Sequence, residues 1–172
     1  MKRTKHLACA IALTFLAGLL GSVQAQNRLT TLKGIEVAAG TEDGERGIIN
    51  GASVLGKTTG VWPGSFFLSL NYEQTSFSSF PSVPTENAIK SGTWSLPIYR
   101  ADKYLGAMFG RVIEGTMQWN SDKTIAKVTI TLSVDGGTQT YAKANGKGYF
   151  VGTLDRTTRG RPTMNGTLEF VF

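Results

Sequence analysis

The side chains here that could do chemistry are carboxylates, arginines, tyrosine hydroxyls and indole N–H groups. The single cysteine and single histidine, Cys9 and His6, both fall in an N-terminal stretch that reads as a cleaved leader. Thiolates and imidazoles are the usual nucleophiles, bases and transition-metal ligands near neutral pH, and the mature chain keeps neither. What is left forms no nucleophile triad and calls for no cofactor and no metal. Binding is therefore expected ahead of catalysis, with the enzyme question open.

The ligand-binding candidates are Tyr72, Trp94, Arg111, Glu114 and Trp119. Arg111 shares strand parity with Leu105, Ala107, Phe109 and Ile113, which would aim it into an apolar interior where a charge needs a partner. Glu114 is the nearest acid. Regular pleating puts it on the opposite face, and only a bulge around residues 113–115 would bring the two together. A charged pair inside a cavity could orient a ligand; the plainer alternative is a strand-end arginine with its head in water. Trp94, Trp119 and Tyr72 suit the wall of a lipophile or carbohydrate pocket, and equally suit ordinary core packing. A separate run, Asp155-Arg156-Thr157-Thr158-Arg159-Gly160-Arg161, gathers Arg156, Arg159 and Arg161 in one connection. It could grip an anion such as a phosphate, or be a solvated hairpin tip braced by Asp155. Glu42-Asp43-Gly44-Glu45 lacks the length and alternation of a calcium loop and reads as a charged turn.

The scaffold that positions these residues reads as an exported one. Lys2, Arg3 and Lys5 precede an uncharged apolar run from Leu7 to Val23, closed by Val23-Gln24-Ala25, the pattern of a secretory signal peptide cut before Gln26. Residues 1–25 are thus expected to be a leader and residues 26–172 one domain, long enough for a single proper core. The expected location is secreted or periplasmic. The leader holds three of the 18 basic residues, set against 12 acidic ones, so the net charge of +6 falls to +3 in the mature chain. No dense lysine–arginine stripe remains, which argues against a nucleic-acid partner. With no cysteine left, a hydrogen-bonded scaffold must hold without disulfides.

That scaffold reads as all-β. From Ala126 to Val134, Ala126, Val128, Ile130, Leu132 and Val134 alternate with Lys127, Thr129, Thr131 and Ser133, so one face is buried and the other wet. Phe66, Leu68, Leu70 and Tyr72 repeat the pattern, as do Met164, Leu168, Phe170 and Phe172. Further strands are predicted at 34–39, 47–55, 93–99, 104–112, 114–119 and 147–154. Asn120-Ser121-Asp122-Lys123 and Asp135-Gly136-Gly137 punctuate them as hairpin connections. About eight short antiparallel strands in one domain admit an up-and-down β-barrel or, as the alternative, a β-sandwich. Residues 74–88, with Phe77, Phe80, Pro81 and Pro84, form the longest gap and read as a loop, either a flap over the core or a lid over a cavity.

Gly136-Gly137-Thr138-Gln139-Thr140-Tyr141-Ala142-Lys143-Ala144-Asn145-Gly146-Lys147-Gly148 resembles the glycine-rich hairpin of the dirigent and allene oxide cyclase barrel group and of exported bacterial proteins sharing it. The match departs at Gln139, where the group has a glycine-like position. The resemblance implies an eight-stranded antiparallel barrel, often a homo-oligomer, with a mainly apolar interior that holds small hydrophobic molecules. It carries no catalytic residue onto a numbered position. The expected function is accordingly noncatalytic binding of a small apolar ligand inside an exported, soluble barrel. One alternative is a cyclase or isomerase that only confines a reactive molecule. Another starts from the terminal Phe172 behind alternating apolar residues, which resembles the closing strand of an eight-stranded outer-membrane barrel, the one reading with a membrane partner.

Overall fold

A computed structural model describes residues 29–39, 42–43, 48–73, 86–158 and 160–172. The leader, the 74–85 part of the long gap, and Arg159 lie outside the described residues. The strands are β1 (Leu29–Ala39), β2 (Glu42–Asp43), β3 (Ile48–Gly60), β4 (Gly64–Glu73), β5 (Glu86–Arg100), β6 (Lys103–Trp119), β7 (Ile125–Val134), β8 (Gly136–Gly137), β9 (Gly146–Asp155) and β10 (Thr163–Val171). Every pairing is antiparallel, in the order β1-β10-β9-β7-β6-β5-β4-β3, and β1 pairs with β3 to shut the ring. The eight long strands thus form a closed barrel rather than two packed sheets. The two-residue β2 pairs with β3 outside the ring, and β8 pairs with β6.

The alternation read from sequence sets which face turns inward. Ala126, Val128, Ile130, Leu132 and Val134 are all buried, as are Phe66, Leu68, Leu70, Tyr72, Met164, Leu168 and Phe170. They join Leu32, Val54, Ile89, Trp94, Leu96, Met108 and Met117 in one continuous apolar cluster that fills the barrel. Burial of that cluster is the main favourable term holding the ring closed. One end is sealed by aromatic rings. Trp62 meets Phe170 and Phe172 edge-on at 5.3 and 5.7 Å, and Phe170 stacks on Trp94 at 5.0 Å. Thr58 Oγ1 donates to the Trp62 carbonyl at 2.6 Å and thereby fixes the β3–β4 turn beneath this plug.

Two local expectations change, and the glycine-rich hairpin takes a definite shape. Residues 104–112 and 114–119 form one strand, β6, with a bulge at Ile113 between Val112 and Glu114. Its inward residues are Gly106, Met108, Gly110 and Val112, while Phe109 and Arg111 face out. The run is apolar at both parities, so alternation alone could not choose the face. Strand β5 starts at Glu86, which moves Asn87 and Ala88 out of the gap and into the sheet. In the 136–148 segment, positive φ falls on Gln139 and not on the glycines. Gly137 and Gly146 are needed for close approach instead, because a Cβ there would collide with the Ala107 and Val171 carbonyl oxygens. Tyr141 packs half-buried against the core.

Candidate functional site

Following the inward parity of each strand toward the end opposite the plug leads to a layer of different chemistry. In β1 the inward series Thr30, Leu32, Gly34 ends on Glu36, and in β4 the series Phe66, Leu68, Leu70 ends on Tyr72. Strand β5 contributes Asn87, strand β6 Trp119, and Arg156 continues the inward series Phe150, Gly152, Leu154 one residue past β9. Five strands thus place Glu36, Tyr72, Asn87, Trp119 and Arg156 in one ring at the barrel mouth.

Bulges bring the rim strands to that geometry. Register shifts fall between Glu36 and Ala38 in β1, between Asn50 and Ala52 in β3, and between Asn71 and Tyr72 where β4 meets β5. Each adds a residue to one strand and bends it locally, a device common at barrel rims. Gly51 occupies the β3 bulge because a Cβ there would fall inside the Tyr72 ring. Tyr72 is buried and donates its hydroxyl to the Gly51 carbonyl at 3.3 Å.

The electrostatic centre is a bidentate ion pair. Arg156 Nη2 and Nε donate to the two Glu36 carboxylate oxygens at 2.9 and 3.2 Å. The Glu36 side chain is only 4% exposed and that of Arg156 31%. Burial pushes against the charge on Arg156, yet Glu36, helped by Tyr72, outweighs it and holds the guanidinium above its ordinary value. The guanidinium carbon also lies 5.2 Å from the centre of the Trp119 ring, in cation–π range. Trp119 is fixed in turn, since its Nε1 donates to Asn87 Oδ1 at 2.7 Å. Main-chain bonds from Arg156 to Thr124 and from Glu36 to Pro162 hold both partners' backbones.

Such an arrangement can orient and recognise. With both carboxylate oxygens engaged by Arg156, Glu36 is occupied as an ion-pair partner rather than poised to accept a substrate proton. The indole and the neighbouring guanidinium stand above an apolar shaft, a combination suited to a ligand with an apolar body and a polar group. Among the described residues, no group of three or more His, Cys, Asp or Glu is arranged to hold a metal ion.

Of the residues singled out from sequence, Tyr72, Trp119 and Arg156 therefore come together. Trp94 is core: it is buried between Phe66 and Phe170, and its Nε1 donates to the Ser133 carbonyl at 2.8 Å. Arg111 is on the outer wall rather than the interior, its side chain 73% exposed, with Nε bound to Asp135 Oδ2 at 2.7 Å. The bulge at Ile113 does put Glu114 on that outer wall too, where it borders a shallow groove of about 300 Å³ beside Thr131 and Tyr149. The arginine run is divided. Arg156 turns into the mouth, Arg161 is exposed, and Asp155 braces the turn by accepting from the Thr157 N–H and hydroxyl at 2.8 and 2.6 Å.

Glu36 and Asn87 were missed in the sequence. Glu36 did leave a signal, an acid at the inward parity of Leu32 and Gly34; Asn87 left none, being assigned to the gap. Comparison with protein-family models, with curated proteins and with solved structures yields no match for this chain.

Proposed function

We propose that this is an exported, water-soluble barrel that binds, without catalysis, a small ligand with an apolar body and one polar group at the Glu36–Arg156 mouth. The observation that carries this reading is the Arg156 guanidinium held within cation–π range of Trp119 by a buried carboxylate, in a layer of the shaft where inward positions turn charged. An ion pair this sheltered has a desolvation cost that apolar residues of the same size would avoid, so a recognition role accounts for it better than stability does. The interior below is filled by side chains, which favours the mouth over the shaft as the place for a ligand. The filled apolar interior supports a water-facing barrel, because a membrane barrel carries a polar lining within.

Native mass spectrometry on the chain exported to the periplasm and purified without detergent tests this directly. The expected result is a mature species beginning at Gln26 with a retained small mass, which disappears in Trp119→Leu and Arg156→Met. Recovery only from the outer-membrane fraction, or an added mass unaffected by both substitutions, would overturn it.

A further inference from the structure

A second surface of different chemistry lies on the outer wall of β1, β3 and β4, on the opposite face of β1 from Glu36. Lys33 of β1 stands directly opposite Lys57 of β3 in register, and both side chains are exposed. Like charges facing each other across a strand pair destabilise it. Among the described residues, their flanking registered partners carry no acid to relieve this, being Asn165 on β10 and Ser65 on β4.

Two residues along the strands, roughly 7 Å away, the wall changes character. Ile35 pairs with Leu55, and Leu55 pairs with Phe67. These three are 51%, 53% and 37% exposed, an apolar row crossing β1, β3 and β4. Between the two rows the main chains of Gly34 and Gly56 run so close that a Cβ on Gly56 would sit 2.7 Å from the Gly34 Cα. They form the floor of a groove of about 580 Å³ that includes Lys33, Ile35, Leu55, Lys57 and Ser65.

We infer that this groove binds a single-tailed alkyl anion, a fatty acid in its carboxylate form. Side chains opposed in one cross-strand pair start about 5 Å apart, so both ammonium groups can converge on one carboxylate, removing their mutual repulsion. The alkyl chain then covers the Ile35–Leu55–Phe67 row, which spans about 10 Å across three strands. Charge complementarity selects the head group and the apolar row selects the tail. A neutral alcohol lacks the first, and an inorganic anion lacks the second.

The test is isothermal titration of the full mature chain with dodecanoate below its micellar concentration. Saturable binding at one site is expected, weakened at least tenfold in K33Q/K57Q and equally in S65W, which fills the groove while leaving both lysines. K127Q, a charge removed elsewhere on the outer wall, should leave binding unchanged, and dodecyltrimethylammonium should not bind. Far-UV circular dichroism of each variant checks that the barrel is intact. No binding by the parent chain overturns the inference, as does undiminished binding by folded K33Q/K57Q. Binding to anionic phospholipid vesicles but not to free dodecanoate would assign the groove to a membrane surface instead. A change in sedimentation in K33Q/K57Q without any effect on dodecanoate would assign it to contact between copies of the chain.

Discussion

At one end of the barrel Trp62, Phe170 and Phe172 interlock and shut the shaft; at the other, Glu36, Arg156, Tyr72, Asn87 and Trp119 line it with hydrogen-bonded and charged groups. Both sets sit at inward strand positions, so pleating alone does not distinguish them. The difference is in what each layer does with polar atoms. The plug has few, and its indole and ring edges gain from contact and area. The mouth has many, and each is committed to a partner, since burying an unpaired polar group is costly. The plug therefore reads as structure, and the mouth as the layer to which the proposed recognition role is assigned.

The strongest test of that contrast is Phe170→Ala, which removes a ring shared by Trp62, Trp94 and Phe172. It should cost about 3–5 kcal/mol of unfolding free energy, read from urea midpoints at constant m, while leaving the mouth's ligand on any protein still folded. A loss below about 1 kcal/mol would mean the plug is ornamental.

Next in size is the ion pair. Arg156→Met strands a buried Glu36 and should cost about 2 kcal/mol, discounted from the fully buried case because Arg156 is partly exposed. Replacing both partners, Glu36→Leu with Arg156→Met, should recover most of that stability and still bind nothing at the mouth. Recovery of stability together with binding would place recognition elsewhere, and the contrast between the ends would fail.

The smallest effect belongs to neither end. Arg111 holds the Asp135 carboxyl below the usual carboxylate range, with Ser133 assisting. A depressed folded value adds stability above the unfolded value near 4, and that contribution is lost as pH falls through the folded one. Because the pair is exposed, Asp135→Asn should lower Tm at pH 7 by about 1 °C or less. The difference from the parent chain should vanish once pH drops well below 4. A difference that grew on acidification would contradict the assigned sign.

Much of the fold was legible because strict alternation occurs where one face is wet: Lys127, Thr129, Thr131 and Ser133 mark the outside of β7 unmistakably. Strand β6 was not legible in this way. Its outer face carries Leu105, Ala107, Phe109 and Ile113, and its inner face is thinned by Gly106 and Gly110, so the apolar parity pointed the wrong way and took Arg111 with it. The mouth was half visible. Tyr72 and Trp119 were singled out as pocket-wall aromatics and Arg156 as part of an arginine run, but their meeting depends on which strand ends share a rim, and that follows from ring closure and three bulges. No local spacing encodes it. Glu36 was within reach, since a carboxylate continuing the parity of Leu32 and Gly34 can only be paired or expelled.

Ring closure has a consequence in time. The seam joins β1 to β10, with Leu29 opposite Glu169 and Ile35 opposite Thr163, near the first and last of the described residues. Until β10 is in place, one flank of β1 is an open edge whose N–H and C=O groups seek any strand available. Contacts so distant in sequence form late and slowly. The barrel is thus exposed to mispairing for as long as its last strand is missing, and the close glycine pairs on either side of the seam, Gly34–Gly56 between β1 and β3 and Gly152–Gly166 between β9 and β10, leave no room for a side chain if the register slips.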